Sequence, residues 1–331
     1  MFIKRIVFIG ALCTVSASVG NAQSVNEACT AAVDEPTLVW YSSQDPSRNE
    51  AAADAFTAAY PNIDVEHFRL STGKLTTRYA SEREAGVINA DIISLADPNF
   101  IAAGKADGWW VPVSAETFPL LSELESGWIA NDAVTTSISL LGFAYNSDEV
   151  GETPPLTWAD LLDPAYKGRI ILGDPRRVPS FMALFRILRE ELGDEFLSGL
   201  AAQAPIVVPS VVPGTQQLAA GEVAIVLPNV MTVVRVLKDE GAPIEFVAPE
   251  LTTGNEFETV LSAGADSPNA ALCMMAFLLS QPGQIAYNGP ASVSPFEGTP
   301  GTAAMPTDYI KPRITEVSKH VAEITGLLGL N

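Results

Sequence analysis

Histidine is close to absent from this sequence: His67 and His320 are the two in 331 residues. Neither stands at metal-ligand spacing from a cysteine, a second histidine or a carboxylate, which argues against an ordinary zinc or iron centre. The same scarcity leaves little material for a Ser-His-carboxylate hydrolase. No Gly-x-Ser-x-Gly elbow occurs, and no Gly-x-Gly-x-x-Gly follows an apolar run. Gly73-Lys74 resembles the end of a phosphate loop, but Leu75 stands where Ser or Thr is required and the upstream glycine is missing. The paired carboxylates Glu190-Glu191 read as the solvated face of a helix. Cations are also few: 19 Lys and Arg face 39 Asp and Glu, for a net charge of −20. That balance excludes nucleic acid and anionic membrane as general partners, since both need basic patches. A local basic pocket can still sit inside an acidic shell. Cysteine is limited to Cys13, Cys29 and Cys273, and no apolar run after residue 22 is long enough to span a bilayer.

The start of the chain reads as a secretory signal over 1–22. Lys4 and Arg5 form its basic end, 6–19 its short apolar stretch, and Gly20-Asn21-Ala22 its small-residue cleavage site. The expected location is the periplasm. Cys13 leaves with the leader, so Cys29 and Cys273 remain as an even pair in an oxidising compartment. A bridge between them and two separate thiols are both open at this point. The remaining length suits two domains of ordinary size.

Strand-like and helix-like segments then alternate. Strands are expected at 38–41, 63–68, 91–95 and 137–145, and helices at 47–60 and 74–84. After Asn146 the texture changes to Pro154-Pro155-Leu156-Thr157-Trp158. A second block follows, with strands at 170–172, 206–208, 223–227 and 244–247. Its helices are expected at 180–192, 216–220 and 232–240. A return strand over 256–263, a helix over 269–279, a Gly/Pro/Ser-rich crossing over 289–306 and a last helix over 307–328 complete the chain. Trp109-Trp110-Val111-Pro112 reads as a turn back to the surface. This order implies α/β architecture with mainly parallel sheets flanked by helices.

Ligands in such sheets collect at the carboxyl ends of strands, where helix starts offer free N–H groups. Ser42, Ser43 and Gln44 follow the first strand, and Ser71, Thr72, Gly73 and Lys74 the second. Asp97 follows the third. In the second block the corresponding exits hold Arg176, Arg177, Ser210 and Asn229. Hydroxyls and N–H groups suit an oxyanion, and an arginine can clamp it through two parallel hydrogen bonds. Trp40 and Tyr41 read as core. If the ligand is cationic instead, Asp97, Asp174 and Glu256 carry the chemistry.

An ordered set of short matches accompanies this pattern. It comprises Leu38-Val39-Trp40-Tyr41-Ser42-Ser43-Gln44, Ser71-Thr72-Gly73-Lys74-Leu75, Ala90-Asp91-Ile92-Ile93 and Phe143-Ala144-Tyr145-Asn146. Trp158-Ala159-Asp160-Leu161-Leu162-Asp163-Pro164 with Tyr166-Lys167-Gly168, Ala220-Gly221-Glu222-Val223-Ala224 and Phe277-Leu278-Leu279-Ser280 follow. In this order, from Leu38 to Tyr287, the chain resembles the periplasmic substrate-binding proteins of ABC transporters. Within them it is similar to the branch that binds ferric iron, thiamine and organophosphates. The resemblance implies a type II periplasmic-binding-protein fold. Lobe one is then 30–136 plus 259–290 and lobe two 137–258, with 291–331 as a C-terminal crossing and helix packed on lobe two. Crossing strands are implied at 136–145 and 249–258. Cys29 and Cys273 then share lobe one, which favours the disulfide. The implied function is capture of a small solute by a monomer and its delivery to an inner-membrane ABC permease, with no cofactor and no catalysis. A small organic anion is the expected ligand. Iron(III) is the rival, although Met231 and Thr232 stand where the iron binders of this branch carry two tyrosines, and a thioether is a poor ligand for that hard cation. A secreted hydrolase and a sensor subunit feeding a receptor are the remaining alternatives.

Overall fold

Asp45 caps the first long helix and Pro46 opens it, while Tyr60 and Pro61 end it, so the chain can leave strand β1 (Leu38–Ser42) and return alongside as β2 (Val65–Arg69). A computed structural model describes residues 24–330, so the expected leader lies outside the described residues. A short helix α1 (Val25–Ala31) precedes β1, and α2 (Pro46–Ala59) follows it. After β2 come α3 (Thr72–Glu84), β3 (Ile92–Leu95) and α4 (Pro98–Ala106). Strands β2, β1 and β3 are parallel neighbours. Their alternating side chains feed two cores. Trp40 and Ile92 join one with Phe56, Met274 and Tyr287; Tyr41 and Ile93 join the other with Leu75, Tyr79 and Trp110. Trp110 is therefore buried rather than turned to the surface. It stacks on Tyr79 with ring centroids 5.3 Å apart, and its indole N–H donates to the Ile101 carbonyl at 2.8 Å. Gly104 makes room, since a Cβ there would lie 2.4 Å from the Trp110 ring.

A two-residue strand β4 (Ile129–Ala130) leads into β5 (Ala133–Asn146), the longest strand. Its first half pairs with β11 (Gly254–Leu261), which lies antiparallel between β3 and β5. Its second half pairs with β8 (Ile225–Val230) and β9 (Ile244–Val247). Gly142 permits this double partnership, because a Cβ there would meet the Val247 carbonyl oxygen at 1.9 Å. Between β5 and β8 run β6 (Ile170–Gly173), α5 (Pro179–Leu192), α6 (Asp194–Ala202), β7 (Ile206–Val208) and α7 (Val211–Ala219). Helix α8 (Met231–Asp239) separates β8 from β9, and β10 (Leu251–Thr252) precedes β11. The order β2-β1-β3-β11-β5-β8-β6-β7 thus holds two α/β halves joined through β5 and the 251–261 segment. Leu172, Phe185, Leu200 and Ile225 anchor the second core. Each such fully buried side chain contributes about 1.5–3 kcal/mol.

Helices α9 (Pro268–Leu279) and α10 (Gln281–Asn288) return the chain to the first half. The tail departs from expectation. In place of a helix over 307–328 the chain forms β12 (Asp308–Tyr309), paired with β10, a 3₁₀ segment Ile314–His320 and a short α11 (Val321–Leu327). Pro312 withholds an N–H and disfavours helix at Lys311, and Arg313 adopts φ 44°. The tail is also divided. Val293, Phe296 and Tyr309 pack on the first half, whereas Ile324, Leu328 and Leu330 enter the core of the second. Among the described residues no helix is long and apolar enough to cross a membrane.

Candidate ligand-binding cleft

The exit of β1 is built for rigidity. Ser42 is fully buried, and its hydroxyl donates to Asn49 Oδ1 at 2.8 Å and accepts the Gln44 N–H at 3.2 Å. Its valences are spent on shaping the loop. Ser43 is buried too; its N–H extends the ladder to Ser94, while its Oγ finds no partner among the described residues. Gln44 reaches Ser137 Oγ on β5 at 2.7 Å and so ties this exit to the crossing strand. Asp45 accepts from the N–H and hydroxyl of Ser47 at 2.9 and 2.6 Å. At the exit of β2, Arg69 donates to the Gln44 carbonyl at 3.4 Å. Ser71 caps α3 in position only, with no side-chain bond to the helix. Ser71, Gly73 and Lys74 are exposed and Thr72 is half-buried. Asp97 caps α4 by accepting the Phe100 N–H at 3.1 Å.

In the second half, Arg176 grips Asp174 as a fork, Nε to Oδ1 and Nη2 to Oδ2 both at 2.9 Å, and its Nη1 donates to the Leu330 carbonyl at 2.6 Å. The fork holds the Asp174 carboxyl below the usual carboxylate range. Arg177 is exposed and lies 4.0 Å from the same carboxylate. Ser210 is exposed at the start of α7 without a capping bond. Asn229 is fully buried; its amide donates to Thr215 Oγ1 at 2.9 Å and its Oδ1 accepts the Val230 N–H at 2.9 Å. That pairing makes Asn229 part of the scaffold. Met231 and Thr232 open α8, where Val230 offers no side-chain cap.

Between the two halves lie two adjoining pockets, bordered by the start of α2 on one side and by α7 and α8 on the other. One, of about 260 Å³, is lined by Asp45, Ser47, Arg48, Thr232, Arg235, Val236, Asp239, Pro290 and Ala291. The other, of about 240 Å³, shares Asp45, Thr232 and Val236 and adds Val212, Gln216, Val233 and Leu237. First-turn residues of α2, α7 and α8 therefore meet here, and helix starts favour negative charge. Arg235 lies 3.4 Å from Asp239, while Arg48 has no carboxylate within 4 Å among the described residues. Ser47 and Arg48 sit about one helical turn beyond the Ser42-Ser43-Gln44 loop expected from sequence. None of Ser42, Ser43, Ser71, Thr72, Gly73, Lys74, Asp97, Arg176, Arg177, Ser210 or Asn229 lines either pocket. Arg48 carried a readable signal, a cation in the first turn after the Ser42-Ser43-Gln44 loop.

A second polar cluster lies along β11. Glu256 accepts from the Tyr309 hydroxyl at 2.8 Å and stands 3.8 Å from Lys311 Nζ. Lys311 also covers the Trp128 ring, 3.2 Å from its centroid, and donates to the Gly127 carbonyl at 2.7 Å. Among the described residues the buried Oε2 of Glu258 has no hydrogen-bond partner; burial first, then the Glu256 charge, push its carboxyl up to about 8. Among the described residues no group of three or more His, Cys, Asp and Glu is placed to hold a metal. His67 packs edge-on to Trp40, and His320 lies 3.9 Å from Glu323.

Residues 88–304 match the family model for bacterial extracellular solute-binding proteins. The fold is similar to that of the periplasmic binding protein AfuA from Actinobacillus pleuropneumoniae, solved with fructose-6-phosphate, at TM-score 0.64 and 20% identity; 89% of this chain and 99% of that one are covered. It is similar to iron-bound HitA from Pseudomonas aeruginosa at TM-score 0.67 and 19% identity, covering 89% and 99%. A substrate-binding protein of an ABC transporter from Agrobacterium tumefaciens gives TM-score 0.70 and 18% identity, covering 91% and 96%. No match to the chain is found among curated protein sequences.

Proposed function

The chain belongs to the bacterial extracellular solute-binding proteins, and from that premise we propose that it captures a small organic anion, a phosphate or carboxylate compound, between its two lobes and presents it to an ABC permease in the inner membrane. Arg48 carries this reading. Among the described residues it is a cation with no carboxylate within 4 Å, in an interlobe cleft where three helices begin, inside a protein of net charge −20. Its guanidinium can take two oxygens of a phosphate or carboxylate at once. The neighbouring N–H groups at the starts of α7 and α8 add donors without adding charge. The similarities to AfuA, solved with fructose-6-phosphate, and to iron-bound HitA are both of fold; against iron, Met231 and Thr232 supply no phenolate.

Thermal-shift screening of the mature protein tests the proposal, because a ligand at 100 times its Kd adds about 2.7 kcal/mol of stability. Organic phosphates or carboxylates are expected to raise the melting temperature, with spermidine and neutral sugars silent. Arg48→Gln is expected to weaken the best anion about 10- to 100-fold, the ~1.4–2.7 kcal/mol of a charge-assisted contact. Stabilisation by cations or neutral compounds alone, or a strong visible band on adding ferric citrate, would overturn the reading.

A further inference from the structure

Helix α8 spends its apolar residues in an unusual way. Of Met231, Val233, Val234, Val236 and Leu237, Val234 alone is buried in the core of the second half. Val236 is 58% exposed, and Val212, opposite it on α7, is 51% exposed. Val212, Val233, Val236 and Leu237 instead line the interlobe pocket of about 240 Å³. Leu237 also touches the core of the second half, but Val212 and Val236 keep half or more of their surface uncovered, and covering it is favourable at roughly 25 cal/mol per Å². The pocket is continuous with the one that holds Arg48, since Asp45, Thr232 and Val236 border both. A cation and an aliphatic wall thus lie side by side in the same cleft.

We propose that the ligand carries an apolar group, a short chain or small ring, next to its anionic group, and that Val212, Val233, Val236 and Leu237 hold the apolar part while Arg48 holds the anion. This inference rests on the anion reading of the cleft. It separates the ligand from a hydrated metal ion, a polyamine or a fully hydroxylated sugar phosphate, each of which would leave the valines against polar groups.

Two homologous series test it by calorimetric titration: methyl to hexyl phosphate, and acetate to hexanoate. In the series that binds, affinity is expected to rise roughly fourfold per methylene, the ~0.8 kcal/mol of burying one CH₂, until the pocket is filled. In Val236→Ser and in Val212→Ser the ratio of butyl to methyl affinity is expected to fall toward one. Both positions are half or more exposed, so the fold tolerates the change, and circular dichroism checks it. Equal affinity for methyl and butyl members, or a ratio untouched by both substitutions, overturns the inference and leaves the anion reading standing. Failure of every phosphate and carboxylate to bind overturns both.

Discussion

Arg176 shows how one residue's partners decide its role. A guanidinium at a strand exit suits an anion, but here all three of its nitrogens are engaged, two on Asp174 and one on the Leu330 carbonyl. A ligand would have to displace a carboxylate already in the ideal geometry. Arg176 therefore fastens Leu330 to the second lobe, while Arg48, whose one side-chain hydrogen bond among the described residues runs from Nε to Ser47 Oγ at 3.4 Å, keeps its Nη groups for a ligand. Arg176→Ala is expected to lower the melting temperature at neutral pH and to leave affinity for the best anion unchanged. The pH dependence has a definite sign. Asp174 titrates below its ordinary range when folded, so its contribution is present above that range and fades as pH falls through it. The difference in melting temperature between Arg176→Ala and the parent should accordingly shrink toward pH 3. Loss of ligand binding with an unchanged melting temperature would return Arg176 to the cleft.

At the scale of elements, the strand-to-helix handovers were legible because short polar residues mark them. Asp45, Ser71 and Asp97 each stand at a helix start. Three things were not legible. Pro213 in the first turn hid the start of α7, a position where proline is tolerated. Pro312 broke the expected last helix. The exposure of Val236 depends on what the opposite lobe leaves uncovered, which no local pattern encodes. Strand β11 adds a polar surprise, Glu258, whose carboxylate is buried beside Glu256, with Lys311 and Asp97 near enough to feel its charge. Its folded pKa of about 8 exceeds the ordinary 4.5, so the folded state holds a proton that the unfolded chain releases. Stability should fall as pH rises from about 4.5 to about 8 and level off above. Glu258→Gln removes the titration. The variant should match the parent near pH 4 and exceed it at pH 8, by on the order of 2–4 kcal/mol. Urea unfolding across this range measures the difference. A variant less stable than the parent at pH 8 would mean that the charged form is the one the site holds.

For the molecule as a whole, the question is which constraints hold each lobe and which govern their relative motion. The lobes are joined by β5, the 251–261 segment and the tail. The Cys29–Cys273 disulfide is placed elsewhere. It joins α1 to α9, and the first N–H groups of α9, at Asn269 and Ala270, donate to Glu35 just ahead of β1. That is the end of the strands opposite the cleft. The bridge therefore closes the first lobe on itself, tying its N-terminal helix to a helix 244 residues later in the chain. A loop of that length gives a chain-entropy ceiling of about 5 kcal/mol, with about 2–5 kcal/mol common in practice. Cys29→Ser with Cys273→Ser, or reduction of the parent, should lower the unfolding free energy by that amount. Because neither crossing strand depends on the bridge, anion affinity should survive as long as the lobe stays folded. Alkylation without reductant followed by intact-mass measurement provides the control, with no labelled thiol expected in the mature protein. Two labelled thiols would refute the bridge. A bridged protein whose reduction abolishes binding at temperatures well below its melting point would show that the α1–α9 clamp reaches the cleft after all, through α9 and α10 to Pro290 and Ala291 at its wall.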